Sequence, residues 1–190
     1  FLEFRRIYQS LKRNFQVIIP DLLGFGFSPR CATNEYNPSK IISYLIDLLK
    51  TLQITENLKI VGASMGGSTA LKLAFEIPDS IEKMILLSPA GLFGKPKSIP
   101  FPLNQIGASF LGLQQVRKSL CRQAFAFPNE CVGEMEEQIA SIHLGCSGWR
   151  NSLASFAKSG GFAGTQKYIQ NIPIKAVCGE NDRILGKKEI

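Results

Sequence analysis

Leu58-Lys-Ile-Val-Gly-Ala-Ser64-Met-Gly-Gly-Ser-Thr-Ala-Leu-Lys-Leu-Ala-Phe75 is the stretch on which the reading of the whole chain turns. An apolar run enters Gly62-Ala63-Ser64-Met65-Gly66, and a run of small residues with helical character leaves it. This is a G-x-S-x-G pattern in the strand–turn–helix setting that presents a serine as a nucleophile. So tight a turn is expected to hold Ser64 in a strained backbone conformation. Gly62 and Gly66 are expected there because side chains at those positions would collide. The hydroxyl then stands at the carboxyl end of a strand and the amino end of a helix, where free N–H groups and the helix dipole favour developing negative charge.

Outward from that turn, strands alternate with helices. Residues 1–14 read as the end of an amphipathic helix with Phe4, Tyr8 and Leu11 on one face. Residues 15–20 (FQVIIP) form a short continuous apolar run, as expected of a strand in a buried parallel sheet. A glycine-rich loop follows, Asp21-Leu-Leu-Gly24-Phe-Gly26-Phe-Ser28-Pro29. Asp21 and Ser28 are read as bonding the backbone of this loop, and its glycines lack the six-position dinucleotide pattern. Asn37-Pro38 opens a helix as cap and first residue, with Ile41, Leu45, Leu48, Leu49 and Leu52 at helical spacing. Leu58–Ala63 is the strand before Ser64, and Met65–Glu76 is the helix after it. Ile81–Leu87 is the next strand, closed by Ser88-Pro-Ala-Gly91, and residues 174–179 form a fourth. The alternation implies βαβ units and a parallel sheet.

Residues 92–168 break the rhythm. The section exceeds what one crossover needs and is helical in pattern. It carries many large apolar residues, among them Phe101, Phe110, Phe125, Phe127, Trp149, Phe156 and Phe162. It reads as a helical cap inserted over the strand ends, hinged at 91–102 and 160–164, its aromatics packed and together suggesting an apolar pocket. The division expected is therefore 1–91 core, 92–168 cap and 169–190 core continued.

Composition narrows the function. With 190 residues, 45% apolar and 19% charged, one globular domain is the default. The net charge of +7 comes from scattered residues such as Arg5, Arg6, Lys12, Lys95, Arg117 and Lys187. No concentrated stripe favours a nucleic-acid partner. The five cysteines (Cys31, Cys121, Cys131, Cys146, Cys178) are odd in number and form no C-x-x-C, so neither a zinc site nor a redox pair is indicated. Reduced thiols in a cytosolic-type compartment are the plain reading. No apolar run approaches the ~18 residues of a membrane span.

Three landmarks together resemble the α/β-hydrolase fold family: Asp21-x-x-Gly24-x-Gly26-x-Ser28, Gly62-Ala63-Ser64-Met65-Gly66-Gly67 and Gly179-Glu180-Asn181-Asp182. They stand in that family's order, with the cap where its cap falls. The resemblance implies a mostly parallel sheet and a serine hydrolase acting on carboxylic esters or related acyl bonds. In it Ser64 is the nucleophile, the Met65 N–H is one oxyanion donor, and Asp182, favoured over Glu180, is the triad acid. It implies no metal or organic cofactor, and a small-molecule substrate with a hydrophobic part. Alternatives on the same fold are carbon–carbon bond hydrolysis, loosely suggested by Ser88-Pro-Ala-Gly-Leu92, acyl transfer, and ligand binding without catalysis. Serine at 64, where dehalogenases and epoxide hydrolases carry Asp, argues against those two. A weaker similarity, to cyanobacterial and plastid hydrolases of long-chain esters, makes a plastid the alternative to a cytoplasmic location.

Two departures from the family stand out. The histidine of the triad follows the acid in chain order, whereas His143, the chain's single histidine, precedes Asp182 and falls within the cap. His143 is therefore read as a packed or surface residue. The second oxyanion donor of the family lies in a loop after an early strand, which these residues do not contain. The expectation is an incomplete piece of a longer hydrolase, without its N-terminal strands and its C-terminal helix and strand, and itself nearly inactive.

Overall fold

The computed structural model describes residues 2–30 and 35–185. Cys31, Lys187 and Lys188, and the first residue of the N-terminal helix, lie outside them. After a short 3₁₀ turn, helix α1 is Arg5–Leu11 and α2 is Pro38–Thr51. Asn37 caps α2 as its sequence predicts, its side chain accepting a hydrogen bond of 2.9 Å from the Lys40 N–H. Strand β1 (Leu58–Ala63) runs into helix α3 (Met65–Glu76), and β2 is Ile81–Leu87. Helices α4 (Leu103–Leu111), α5 (Gln114–Gln123), α6 (Pro128–Cys131), α7 (Glu134–Ser141) and α8 (Trp149–Lys158) precede β3 (Ile174–Val177).

The strands form a parallel sheet in the order β1-β2-β3, with Val61 opposite Ile85 and Leu87 opposite Val177. Helix α3 lies on one face of it. There Ala70, Leu71 and Ala74 meet Ile81, Met84 and Leu86 in the main core, with Ile60, Tyr168 and Ile174 packed around them. Such a core forms because period 3.6 on α3 and period 2 on the strands put apolar side chains on facing surfaces.

Two expectations about the sheet are corrected. Residues 16–20 have no regular structure and pair with no strand. An apolar run becomes a strand only when a neighbour completes its ladder of hydrogen bonds, and among the described residues β1 has a neighbour on one side only. The strands, apolar at successive positions, were also expected to be covered on both faces. On the face away from α3, Val61, Ile85 and Val177 remain exposed.

The helical section leaves and rejoins the sheet through a bonded neck. Thr165 N–H donates to the Gly91 carbonyl (3.1 Å) and Gln166 N–H to that of Leu92 (3.0 Å). The buried Ser68 and Thr165 hydroxyls meet at 3.0 Å beneath it. Within the section α4 packs on α8 and α5 on α7. Glu136 of α7 accepts from Arg5 and Arg6 of α1, and Ser152 of α8 donates to the Gly24 carbonyl at 2.8 Å. The aromatics of this section divide. Phe156 packs edge-on against Phe25 with centroids 5.2 Å apart, whereas Phe101, Phe110 and Phe127 are exposed rather than packed as expected.

Candidate active site

Ser64 lies between β1 and α3 with φ 48° and ψ −120°, a positive-φ conformation that costs a non-glycine residue of order 1–3 kcal/mol. The turn is held from both sides. Ser64 N–H donates to the Leu87 carbonyl (2.9 Å), and the Ser64 carbonyl accepts from Gly67 N–H (2.9 Å) and Ala90 N–H (3.0 Å). Its hydroxyl does not cap α3 and is exposed. Met65 opens the helix, so its N–H is one of the first-turn donors without an intrahelical acceptor.

The glycines of the turn are not equivalent. A Cβ on Gly62 would fall 2.4 Å from the Gly66 carbonyl oxygen, and one on Gly67 would fall 2.6 Å from Pro89 Cβ. Gly66, expected to be sterically required, has no atom beyond its chain neighbours and its own helix backbone within 4 Å of the place its Cβ would take. Position 67 faces the segment after β2, and position 66 does not. The close approaches that demand glycine are therefore at 62 and 67.

Asp182 sits in the turn after β3. Its Oδ1 accepts from the N–H groups of Ile184 and Leu185, both at 2.9 Å. Those amide bonds, the Leu185 one foremost, and the Ser88 hydroxyl hold its carboxyl below the usual carboxylate range. Glu180, its rival in the sequence, is exposed and has no such set of donors.

Ser88, which closes β2 and was assigned no site role from the sequence, links the two turns. It has φ 39°, its N–H donates to the Val177 carbonyl (2.8 Å), and its Oγ accepts from Gly179 N–H (3.4 Å) and favours the charged form of Asp182. The segment 87–90 thus touches the Ser64 turn at Leu87 and Ala90 and the Asp182 turn at Ser88. The signal was a serine before proline at a strand end, where the chain must turn. Ser64 and Asp182 accordingly stand at the carboxyl ends of β1 and β3, the edge at which open parallel sheets place their ligands.

His143 is not brought to either residue. Its ring lies 3.4 Å from an Arg117 Nη and 6.0 Å, centroid to centroid, from Trp149. Burial, with Arg117 and Arg30 nearby, pushes its pKa down. Asp21 and Ser28 serve the loop: Asp21 Oδ2 accepts from Phe27 N–H at 2.9 Å, and Ser28 Oγ donates to the Asp21 carbonyl. A cavity of about 350 Å³ lies between Phe127, Asn129 and Arg183, and one of about 250 Å³ between Leu144 and Asn151; neither is lined by Ser64. No three His, Cys, Asp or Glu among the described residues cluster as metal ligands would.

A family model described as alpha/beta hydrolase fold matches residues 1–130. The chain belongs to the alpha/beta hydrolase fold family. Among curated relatives, 2-hydroxymuconate semialdehyde hydrolase of Pseudomonas sp. (strain CF600) is 36% identical over 197 aligned positions, covering 96% of this chain and 65% of the relative. Lipase 3 of Moraxella sp. (strain TA144) is 35% identical over 98, covering 50% of this chain and 31% of the relative. The chain thus spans less than two thirds of the length of these curated relatives. Among solved structures of the fold, 2-hydroxy-6-oxo-6-phenylhexa-2,4-dienoate hydrolase from Rhodococcus sp. strain RHA1 superposes with a TM-score of 0.74 at 24% identity, over 97% of this chain and 69% of that one. No helix among the described residues of this alpha/beta hydrolase is long and apolar enough to cross a membrane.

Proposed function

We propose that the chain carries the nucleophile and acid of a serine hydrolase that cleaves a carbon–carbon bond beside a carbonyl in a vinylogous diketone. The observation that carries the chemistry is Ser64 itself, exposed at φ 48° where β1 ends and α3 begins. The bond class is supported by the 36% identity, across nearly the whole chain, to a hydrolase named for 2-hydroxymuconate semialdehyde. This reading replaces ester hydrolysis as the first choice.

The Ser64 oxygen adds to the carbonyl carbon, and its proton passes to a base. The Met65 N–H donates to the oxygen that becomes anionic, where a single such donor is typically worth about 3 kcal/mol of barrier. Collapse of the adduct breaks the bond to the neighbouring carbon. That carbon leaves with the electron pair, tolerable only when conjugated to a second carbonyl, and takes up the proton the base holds. Water then attacks the acyl group on Ser64 and frees the acid. Asp182 orients the base and stabilises its cation. In this reading the base is a histidine that these 190 residues do not supply, and residues 92–168 are a cap whose apolar residues favour a hydrophobic substrate. The four described cysteines stand free, which supports a reducing compartment.

Ester hydrolysis is the second reading, favoured by the likeness to Lipase 3, because the same adduct expels an alkoxide as readily as a stabilised carbanion. A substrate panel on the complete protein separates the two. Faster turnover of a 2-hydroxy-6-oxo-dienoate, read as loss of its visible absorbance, than of p-nitrophenyl esters supports the first. The reverse order supports the second, and no turnover of either supports a ligand-binding protein of this fold.

A further inference from the structure

Two buried hydroxyls join the helix after Ser64 to the place where the helical section leaves and rejoins the sheet. Ser68 lies on α3, four residues after Ser64, and Thr165 lies where the section returns; both side chains are fully buried. Their oxygens are 3.0 Å apart. Ser68 Oγ also bonds the Ala90 carbonyl, and Thr165 Oγ1 lies 3.0 Å from the carbonyl of Gly91. Neither hydroxyl has a part in the reaction steps above, and burial leaves no solvent to replace a lost partner.

The proton count orders these contacts. Two hydroxyls hold two protons for three contacts. The Gly91 carbonyl already accepts the Thr165 N–H at 3.1 Å. The Thr165 hydroxyl is therefore free to donate to Ser68 Oγ, and Ser68 donates to the Ala90 carbonyl. Each acceptor then receives one proton: Gly91 from the Thr165 amide, Ser68 from the Thr165 hydroxyl, and Ala90 from Ser68.

Ala90 is held on both sides. Its carbonyl accepts from Ser68, and its N–H donates to the Ser64 carbonyl at 3.0 Å. Both of its polar groups thus end on the start of α3. The crossing is also tight. A Cβ on Gly91, at φ 74°, would fall 2.3 Å from the Phe162 carbonyl oxygen and 3.2 Å from Ser68 Oγ. The strained φ of Ser64 persists only where its surroundings over-determine it, and the Ala90 bond is one of those that do so.

We propose that Ser68 is a positioning residue for Ser64, supported by Thr165: the relay from Thr165 through Ser68 to Ala90 fixes the backbone that holds Ser64 in its turn. The inference rests on the reading of Ser64 as the nucleophile. It places part of the nucleophile's alignment in the neck of the helical section, outside the G-x-S-x-G pattern.

The rate at which a fluorophosphonate labels Ser64 in the complete protein, measured well below the melting temperature, tests this whatever bond the enzyme cleaves. Ser68→Ala should slow labelling about three- to tenfold, the worth of one hydrogen bond. Thr165→Val, similar in shape, should slow it about twofold, and Thr165→Ser should restore the wild-type rate because it keeps the hydroxyl. Ser68→Ala combined with Thr165→Val should be no slower than Ser68→Ala alone, since the second change has nothing left to act through. Asn37→Ala, which removes the α2 cap, should lower the melting temperature and leave the rate unchanged, separating lost stability from lost alignment. Wild-type rates in both Ser68→Ala and Thr165→Val, slowing that Thr165→Ser shares, or a double variant slowed by the product of the two single effects each overturns the proposal while leaving Ser64 as the nucleophile. If Ser68→Ala does not fold, Thr165→Val against Thr165→Ser decides alone. No label on Ser64 in the wild-type protein refutes the nucleophile, and the proposal with it.

Discussion

Replacing each glycine of the Ser64 turn by alanine separates two roles that look alike in the motif. At Gly62 the new Cβ would lie 2.4 Å from the Gly66 carbonyl oxygen, 2.7 Å from its carbon and 2.8 Å from Gly67 Cα. All three are backbone atoms at the start of α3, so no side chain can swing aside. Restoring an ordinary 3.4 Å contact needs a displacement of about 1 Å (3.4 − 2.4), in a turn already strained at Ser64. Overpacking of this kind costs about 1–3 kcal/mol, and the rigid neighbour puts Gly62→Ala at the upper end. Gly66→Ala meets nothing within 4 Å, lies within α3, and should be neutral or stabilising by about 0.5 kcal/mol through helix propensity and the unfolded state. Urea unfolding followed by circular dichroism should therefore move the two midpoints apart, Gly62→Ala downward and Gly66→Ala level or upward. A loss above about 1 kcal/mol at Gly66, or none at Gly62, would refute the reasoning.

Other expectations are as direct. Ser88→Ala removes a hydroxyl that favours the Asp182 carboxylate and leaves the two amide bonds, so the Asp182 pKa should rise but stay below its usual range, as carbon-detected NMR titration would read. Because the folded pKa of Asp182 is depressed, its stabilisation is present above about pH 4 and is lost as pH falls through the folded value; the part of the Ser88→Ala effect that acts through Asp182 should fade on the same descent. His143 has a folded pKa pushed down by burial and Arg117, so the unfolded chain takes up more protons below about pH 6.5, and acid destabilises the fold there. His143→Gln should flatten that acid-side fall in melting temperature, and an unchanged slope would show that His143 does not drive it. Asn37→Ala should cost about 1 kcal/mol in the same unfolding assay, by removing the α2 cap.

The sequence carried the parts of the fold that rest on local signals. β1, α3 and β2 have the bounds that their apolar runs and Pro78 predict, and Asn37-Pro38 opens α2. The run at 15–20 carried the same signal as β1, but pairing is a property of two segments, and among the described residues 16–20 have no neighbour with which to form a ladder. Exposure was illegible for the same reason. Val61 and Ile85 are as apolar as Ile60 and Met84, and only the side on which α3 lies distinguishes them. At the candidate site Ser64, Met65 and Asp182 could be named because each follows a strand in a patterned turn. Ser88 was not weighed as a site residue, because its link to Asp182 depends on how β2 and β3 align, which spacing along the chain does not encode. Gly66 and Gly67 read identically until Pro89 is placed against the second of them.

The central claim is that Ser64 is a nucleophile. Labelling of the complete protein by a fluorophosphonate, with the modified peptide identified by mass spectrometry, tests it most directly. One label is expected on Ser64, absent in Ser64→Ala and formed far more slowly in Asp182→Asn, where a misoriented base can cost about 10⁴-fold in rate. Label on another residue, or label that survives Ser64→Ala, would contradict it.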